Sequence, residues 1–464
     1  MLFKQIYDDS LAQASYLLAC QKTGEAMVID PRRDIGVYLE EAKNNGLSIT
    51  AVTETHIHAD YLSGARELAA ATDASLYLSD EGGLDWAYQF VHTGLKHAQV
   101  INIGNIAVQA IHTPGHTPEH LSFLITDGAT ATSPGFFVTG DFVFVGDIGR
   151  PDLLDEVAGG IDTRFEGAKQ LFASLKDHFL TLPDYVQVWA GHGAGSACGK
   201  ALGAVASSTI GYERRFAWWS KYLENNDLQG FTRELLEGQP DAPSYFARMK
   251  RQNKAGPSVL GTRDKLLELS NDQTKTRLEA GAWLIDTRSR ADFQAGAVKG
   301  SLHLPTGQDF TTWAAWLIDP EFDARDLILL AQNASQAAQL QAELTRVGID
   351  RVVGFITNLN GFNLESQAPI SPSAAEKILN PLVLDIRAKN EFLAGHLPGA
   401  IQIHAGQLYK HLDELPHDLP ILLHCQSGAR SAAATSYLRA KGFSNVLELD
   451  GGFAAWQQAQ LVRA

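Results

Sequence analysis

The chain has 464 residues, more than one compact core usually holds, so its length suggests two to four domains. Hydrophobic residues make up 45% and charged residues 20%, which is typical of a globular protein, and the net charge of −15 argues against a nucleic-acid or anionic-membrane partner. Three cysteines are too few for a disulfide framework and fit a reducing compartment. The opening stretch MLFKQIYDDSLAQ lacks the features of a signal peptide, and no apolar run reaches the length of a membrane span, so we expect a cytoplasmic protein.

Short apolar runs alternate with turns and polar loops over residues 1–240. Strands are predicted for ASYLLAC, EAMVID, ITAVTETH, ASLYLS, AVQAIHTPGH, LSFLIT and GFFVTGD, whereas DIGVYLEEAKNNG and GARELAAATD have helical spacing. Many of the strands end in a histidine or an aspartate. This layout predicts an α/β domain that displays polar side chains at a sheet edge.

The pattern changes after this domain. The stretch EGQPDAPSYFARMKRQNKAGPSVLG holds three prolines, and it predicts a linker with one short helix at 241–264. An internal repeat follows, because LIDTRSRADFQAGAVKGSLHLP from Leu284 matches VLDIRAKNEFLAGHLPGAIQIH from Val383. We therefore predict two further α/β domains, at 265–365 and 366–464, each with a parallel sheet covered by helices.

Candidate metal ligands recur through the first domain. His56 and His58 lie in ETHIHADYLSG, and His116, Asp141 and His192 follow at later strand ends. A single histidine in such a place is more often a surface or core residue. Five candidates in this arrangement predict a metal site, and imidazole with carboxylate suits Zn, Fe or Mn.

The order H-x-H-x-D, P-G-H-T, T-G-D and G-H-G resembles the metallo-β-lactamase superfamily, which implies an αββα sandwich over the first half of the chain. In its two-metal members, such as glyoxalase II, a histidine after the loop aspartate Asp60 binds the second metal. This chain has Tyr61 there, and a phenol with a pKa near 10 stays protonated. We therefore expect poor affinity for a second metal.

The persulfide dioxygenase branch of this superfamily uses one Fe(II) per domain. Resemblance to it implies that His56, His116 and Asp141 are the ligands, a facial triad with positions open for O₂ and a substrate sulfur. Residue chemistry alone would favour Zn²⁺ over Fe²⁺, so iron is an implication of the family. The residues then expected to surround the site and orient ligands or substrate are His58, Asp60, Tyr61 and His192.

Two further residues of the first domain are candidates through the same resemblance. GDIGRPDL resembles a segment whose arginine binds the carboxylate of a thiol substrate, which makes Arg150 a candidate anion contact, with a structural ion pair as the alternative. Cys198 lies six residues after His192, where related fusions carry a cysteine. It is a possible persulfide carrier, or else a small packed residue.

The stretch ILLHCQSGARS carries the second candidate site. An apolar strand ends at Cys425, and a loop of small residues and a helix follow. Loop N–H groups, the helix N-terminus and Arg430 would each stabilise a thiolate or a sulfur anion on Cys425. A tyrosine-phosphatase loop needs five residues between cysteine and arginine, and the four here suit a sulfur atom better than a phosphate. The four loop residues between Cys425 and Arg430 are predicted to bind the substrate, and they are Gln426, Ser427, Gly428 and Ala429.

With LDIR, GHLPGA and LDGGFAAW, this segment resembles a rhodanese domain, which implies that Cys425 forms a persulfide, assisted by Arg430. Aligning the apolar runs puts Gln332 at the position of Cys425 in the first repeat, where no arginine follows. We therefore predict that residues 265–365 form an inactive rhodanese-like domain, a scaffold or docking domain.

Both resemblances involve sulfane sulfur, and the whole chain resembles a persulfide dioxygenase–rhodanese fusion. This implies oxidation of a low-molecular-weight thiol persulfide to sulfite by O₂, with sulfur transfer at Cys425 that forms or uses thiosulfate. Two alternatives stay open: a Zn-dependent thioester hydrolase joined to a sulfurtransferase, and a non-oxidative sulfur carrier that docks partner proteins. We also expect a homo-oligomer, with no nucleic-acid or membrane partner.

Overall fold

The computed structural model describes residues 1–461, and the chain divides into two compact units. The first unit contains residues 1–242 and 246–263, and the second contains residues 243–245 and the chain from 264 onward. Most of the segment that we predicted as a linker therefore belongs to the first unit, where it forms the helix Phe246–Ala255. Within residues 1–461, no helix has both the length and the apolar character that crossing a membrane requires.

Two six-stranded sheets form the centre of the first unit. The first sheet has the order β1-β2-β3-β4-β5-β6, with β1 Leu2–Asp8, β2 Gln13–Cys20, β3 Glu25–Ile29, β4 Ser48–Thr53, β5 Ser75–Ser79 and β6 Thr93–Leu95. The second has the order β12-β11-β10-β9-β8-β7, with β7 Val100–Ile103, β8 Ile106–His112, β9 Leu121–Asp127, β10 Phe136–Gly140, β11 Gln187–Ala190 and β12 Ser208–Thr209.

Helices accompany these sheets. They are α1 Gly36–Asn44, α2 Ala65–Thr72, α3 Leu153–Glu156, α4 Thr163–Ser174, α5 Ile210–Phe216, α6 Ser220–Glu224, α7 Leu228–Leu236 and α8 Phe246–Ala255. A short 3₁₀ turn spans Leu84–Trp86, and a π-helical turn, Leu175–Phe179, follows α4.

The burial of β2 explains the layering. All eight residues of QASYLLAC are buried, so both faces of the strand are covered. Because side chains alternate along a strand, Tyr16 and Leu18 pack between the sheets, whereas Leu17 packs with Tyr38 of α1 and Leu68 of α2. A further cluster packs the second sheet against α4 and the helices from α5 to α7. The expected four-layer αββα sandwich is confirmed.

The second unit contains two parallel four-stranded sheets with the same topology. One has the order β15-β13-β16-β17, with β13 Trp283–Asp286, β15 Leu302–His303, β16 Leu327–Leu330 and β17 Val352–Ile356. A two-stranded sheet joins β14 Ala297–Val298 to β18 Leu364–Glu365. The other has the order β20-β19-β21-β22, with β19 Leu382–Asp385, β20 Ile401–Gln402, β21 Ile421–His424 and β22 Val446–Glu448.

Helices accompany both of these sheets. They are α9 Asn271–Glu279, α10 Arg290–Ala295, α11 Phe310–Leu317, α12 Ala334–Arg346, α13 Pro372–Ala375, α14 Lys389–Leu393, α15 Ala429–Ala440 and α16 Gly452–Leu461. Two 3₁₀ turns lie at Ala405–Lys410 and Leu412–Glu414. The predicted repeat is thus two copies of one parallel α/β fold, and the expected fold class is confirmed.

Candidate functional site

Three predicted ligands meet at the strand ends of the first unit. His56 follows β4, His116 lies in the loop after β8, and Asp141 follows β10. All three are buried, and their ligand atoms lie within 4.8 Å of one another. Asp141 Oδ2 lies 3.5 Å from His116 Nε2 and 3.9 Å from His56 Nε2. These three side chains form one group of metal donors.

The hydrogen bonds of this group suit a metal ion. The Thr55 hydroxyl donates to Asp30, so it accepts from His56 Nδ1 at 2.9 Å, and His116 Nδ1 donates to the carbonyl of Arg150 at 3.0 Å. Both rings therefore present an unprotonated Nε2 towards the centre of the group. Neither carboxylate oxygen of Asp141 has a hydrogen-bond partner among the described residues. Since buried polar atoms are nearly always satisfied, these oxygens indicate a bound cation.

Burial sets the protonation of the donors. It lowers the pKa of His56 well below its usual value, with a further contribution from His58, and it lowers the pKa of His116 to about 3. Neutral imidazole is the form that binds a metal. Burial also raises the pKa of Asp141 to about 6. A carboxylate in this position needs a cation to balance its charge.

His58 bonds to Asp30 instead of joining this group. Its Nε2 lies 3.0 Å from Asp30 Oδ1, and the backbone N–H of Thr55 donates to the same oxygen. Burial lowers the pKa of His58, but the charge and hydrogen bond of Asp30 outweigh it and raise the pKa to about 9. His58 Nε2 therefore donates to the Asp30 carboxylate. The orienting role of His58 stays a prediction.

A second group of donors adjoins the first. Asp60, His192 and Cys198 bring their ligand atoms within 4.8 Å of one another. His192 Nε2 lies 3.5 Å from Asp60 Oδ2 and 3.5 Å from Asp141 Oδ1. Burial raises the pKa of the Cys198 thiol well above its usual value. Cys198 is therefore a protonated thiol beside the first group, and its role as a persulfide carrier stays a prediction.

Tyr61 is buried next to these donors. Its hydroxyl donates to the carbonyl of Asp30 at 3.2 Å and accepts from Gln13 Nε2 at 3.3 Å. Burial raises its pKa well above the usual value. Tyr61 is thus a neutral, hydrogen-bonded phenol, which is a poor ligand for a metal.

Arg150 is held in an ion pair. Its guanidinium is fully buried, donates to Asp152 through Nε at 2.9 Å and through Nη2, and donates to the carbonyl of Ala197 through Nη1 at 3.1 Å. The Arg150 carbonyl accepts from His116, so the residue holds one of the three metal donors in place. Because the guanidinium is already bonded to Asp152, a substrate anion would have to compete for it. A role in binding substrate stays a prediction.

Cys425 lies at the end of β21 in the second unit, and its side chain is buried. Its Sγ accepts the N–H of Gly428 at 3.2 Å and lies 3.6 Å from Ser431 Oγ. Gly428 has φ of 101°, a left-handed conformation that glycine adopts without strain, and α15 begins at the next residue. The N–H of Gly428 and the N-terminus of α15 therefore lie at the sulfur, and both carry partial positive charge.

The other predicted loop residues have different surroundings. Arg430 donates to both carboxylate oxygens of Glu391, at 2.9 and 2.8 Å. Gln426 Oε1 accepts from Arg387 at 2.9 Å. Ser427 and Ala429 are exposed. Their roles in binding a substrate stay predictions.

The glycines of LDGGFAAW support the cysteine loop from the other side. The N–H of Phe453, at the start of α16, donates to the carbonyl of Cys425 at 2.8 Å. Gly452 has φ of 60°, and a Cβ there would collide with the same carbonyl oxygen. The motif thus lets α16 approach the backbone of the loop closely.

The strand register corrects one sequence alignment. In the second copy Asp385 pairs with His424, and in the first copy the matching Asp286 pairs with Leu330. The residue at the position of Cys425 is therefore Ala331, and not Gln332 as we expected. Counting apolar residues in the two strands was not enough, because the loop after the strand differs in length between the copies.

Comparison with known proteins agrees with this architecture. The hydroxyacylglutathione hydrolase of Nitrosococcus oceani is 30% identical over 54% of this chain and 78% of its own length. The family description "Metallo-beta-lactamase superfamily" matches residues 9–192, and "Rhodanese-like domain" matches residues 270–362 and 371–459. The chain belongs to the metallo-beta-lactamase superfamily. Two rhodanese-like domains follow its metallo-beta-lactamase domain.

Two more relatives extend the comparison. A crystal structure described as a metallo-beta-lactamase from Staphylococcus aureus subsp. aureus COL has a TM-score of 0.66 and 38% identity, covering 77% of this chain and 98% of that one. The thiosulfate sulfurtransferase GlpE of Pseudoalteromonas translucida is 38% identical over 17% of this chain and 74% of its own length. The likeness to the Staphylococcus aureus structure therefore extends beyond the metallo-beta-lactamase domain.

Three important residues of the metallo-beta-lactamase domain escaped the sequence analysis. His120 Nε2 accepts the N–H of Asp141 at 3.1 Å, and Asp30 organises the loop as described above. Asp30 ends the strand EAMVID, and this position could have identified it.

Asn253 of α8 accepts from the N–H of Ser63 at 2.9 Å and donates to the carbonyls of His58 and Tyr61 at 2.8 and 2.7 Å. No local pattern marks Asn253, because its partners lie about 190 residues earlier.

Proposed function

We propose that this chain oxidises a thiol persulfide with O₂ at one ferrous ion in its metallo-beta-lactamase domain and transfers sulfane sulfur at Cys425. The observation that carries the oxidative half is the buried group of His56, His116 and Asp141 beside a neutral Tyr61. Two imidazoles and one carboxylate are the donors of single-iron oxygenases, and a two-metal hydrolase needs a further ligand where Tyr61 lies. The metal count and its identity are part of the proposal.

The chain would contribute position and protonation. Fe(II) held by His56, His116 and Asp141 would activate O₂ and bind the substrate sulfur. Thr55 and the carbonyl of Arg150 hold the two imidazoles as Nδ1–H tautomers, which fixes the direction of each ring. The three ligands are buried, so bulk water has little access to the reacting sulfur.

The transfer half follows from the surroundings of Cys425. Its thiolate attacks the outer sulfur of thiosulfate, the S–S bond breaks, and sulfite leaves with the bonding electron pair. The reverse reaction forms thiosulfate from sulfite and the cysteine persulfide. The N–H of Gly428 stabilises negative charge on Sγ in either direction. The likeness to a thiosulfate sulfurtransferase supports this half.

The two reactions share sulfite, which the first releases and the second consumes or forms. Joining both sites in one chain raises the effective concentration of sulfite at Cys425. This supports thiosulfate formation as the direction of transfer when a persulfide is supplied.

A zinc-dependent thioester hydrolase is the second candidate function. The similarity to a hydroxyacylglutathione hydrolase favours it, and so does the second donor group of Asp60, His192 and Cys198. This alternative predicts two metal ions per chain and turnover without O₂. Oxidation predicts one iron and consumption of O₂.

The deciding experiment measures metal content and O₂ uptake with synthetic glutathione persulfide and coenzyme A persulfide. We expect about one iron per chain and O₂ uptake with at least one of the two. Asp141→Asn should remove both iron and uptake, because an amide cannot supply the anionic ligand. Asp162→Asn is a matched control, since its side chain is 73% exposed and should leave both unchanged. Two zinc ions with hydrolysis of S-acyl glutathione under argon would refute the oxidative proposal.

A further inference from the structure

Arg290, the first residue of α10, belongs to the rhodanese-like repeat that has no cysteine, but it contacts the repeat that has one. Its Nη2 lies 2.9 Å from Glu448 Oε1 and 3.7 Å from Asp450 Oδ1. The corresponding residue of the second repeat, at the start of α14, is Lys389. The first repeat thus supplies a guanidinium to two carboxylates of the second repeat.

Glu448 connects Arg290 to the neighbourhood of the cysteine. It ends β22, its side chain is buried, and its Oε1 accepts from the hydroxyl of Ser431 at 3.0 Å. Ser431 Oγ lies 3.6 Å from Cys425 Sγ. A buried carboxylate beside a thiolate would repel its charge, and a bound guanidinium offsets that repulsion.

Gly428 is the second connection. A Cβ built on Gly428 would lie 2.6 Å from both Nη1 and Nη2 of Arg290, so the guanidinium packs directly against the backbone of this glycine. The N–H of Gly428 is the group that donates to Cys425 Sγ. Arg290 therefore contacts the glycine that donates to the sulfur and also binds the carboxylate that holds Ser431.

We propose that Arg290 is a positioning residue for sulfur transfer at Cys425, acting through Gly428 and through Glu448 and Ser431. The repeat without a cysteine thus completes the site of its neighbour by fixing Gly428, whose N–H donates to the sulfur, and Ser431, whose hydroxyl lies beside it. This inference rests on the sulfur-transfer half of the proposed function. Arg290 does not touch the sulfur itself, so its loss should slow the reaction without weakening the binding of the donor.

The test uses the full chain with Arg290→Met, Arg290→Lys and a control, Lys299→Met. Lys299 lies in the same repeat with 84% of its side chain exposed, so this control removes one cation from the surface. One readout is sulfur transfer from thiosulfate to cyanide, followed as thiocyanate. The other is the rate at which iodoacetamide alkylates Cys425, measured by mass spectrometry of the peptide that contains it.

Arg290→Met should lower kcat at least ~10-fold with KM for thiosulfate within about 2-fold of native, and should slow alkylation of Cys425 by about 5-fold. Arg290→Lys keeps a charge for Glu448 but loses the planar contact with Gly428, so its kcat should fall by only about 2- to 3-fold. Lys299→Met should match the native chain. Unchanged kcat and alkylation in Arg290→Met would overturn the proposal, and so would a rise in KM alone, which would mean that Arg290 binds the donor directly.

A double-mutant cycle with Glu448→Gln separates positioning from general loss of structure. If Arg290 acts largely through Glu448, Arg290→Met should lower kcat by less than about 3-fold when it is made in the Glu448→Gln chain. Fully additive effects, with a lowered Tm in both single variants, would indicate a structural role only. Should Arg290→Met fail to fold, Arg290→Lys carries the same comparison.

The outcomes also separate this inference from the proposed function. If the native chain does not transfer sulfur from thiosulfate, the proposed function fails in that half. The alkylation rates of the native and Arg290 variants still decide whether Arg290 controls the surroundings of Cys425.

Discussion

In both rhodanese-like repeats, the first strand of the sheet ends in an aspartate that binds an arginine two residues later. That arginine also donates to a glycine carbonyl, at 2.8 Å in the first repeat and 2.6 Å in the second. These corresponding residues are Asp286, Arg288 and Gly296 in the first repeat and Asp385, Arg387 and Gly395 in the second. The shared ion pair ties the strand to the helix after it, so it supports the fold in both copies.

The repeats differ in the loop after the third strand. In the first repeat α12 begins at Ala334, three residues after Ala331, whereas in the second α15 begins at Ala429, four residues after Cys425. The additional residue allows a left-handed Gly428 to turn its N–H towards the sulfur. The comparison teaches that this fold persists without the cysteine loop, because the shared ion pair is present in both repeats whether or not a cysteine follows the third strand.

The largest expected effect concerns Cys425. Cys425→Ser should abolish transfer of sulfur to cyanide, because a hydroxyl neither forms a persulfide nor attacks one at a useful rate. Oxygen uptake with a thiol persulfide should persist, since the proposed metal ligands lie in the other unit. Equal loss of both activities would contradict two separable sites.

A large difference in stability should separate the two shared ion pairs. Asp385→Ala should destabilise the second unit by about 3–5 kcal/mol, because it leaves the charge of the buried Arg387 without a carboxylate to balance it. Arg387 has 2% of its side chain exposed and Arg288 has 30%, so Asp286→Ala should cost about 1–2 kcal/mol. Urea denaturation of the full-length variants measures both. Equal costs would mean that the exposure of the arginine does not matter.

A moderate effect is expected where Glu391 holds Arg430. Glu391→Gln should raise KM for thiosulfate by about 3-fold, because the arginine loses the carboxylate that fixes its direction near the sulfur. The corresponding residue of the first repeat is Asp292, which accepts from the Ser289 hydroxyl at the start of α10. Asp292→Asn is therefore the matched control, and it should leave KM as in the native chain. A similar rise in both variants would count against a role for Arg430 in donor binding.

The smallest expected effect is on sulfur transfer when a cysteine is placed in the first repeat, which we expect to gain almost no activity. Ala331→Cys in a Cys425→Ser chain puts a thiol at the corresponding position of the first repeat. Transfer should stay below about 1% of native, because neither the left-handed glycine nor a following arginine is present there. Thiocyanate formation measures it. Substantial activity would show that the cysteine alone, and not its loop, is what the first repeat lacks.

Sequence patterns predicted those parts of the molecule that depend on neighbours along the chain. The strand ends that carry His56, His116, Asp141 and Cys425 were readable, because a polar residue after an apolar run marks a sheet edge. The alignment of Gln332 with Cys425 was wrong by one residue, since only the pairing of strands fixes the register. The supports from Asn253 and Arg290 were not predictable, because each reaches its partners across a long stretch of sequence.

The hydrogen bonds that Asn253 makes determine where the chain can be shortened without disturbing the predicted metal site. A fragment that stops at residue 240 would keep every predicted iron ligand but would lose the amide that binds the backbone at His58, Tyr61 and Ser63. Its metal loop would then have unsatisfied carbonyls and greater mobility. An excision after residue 263, the end of the first compact unit, retains that amide and gives the better fragment in which to test the proposed uptake of O₂.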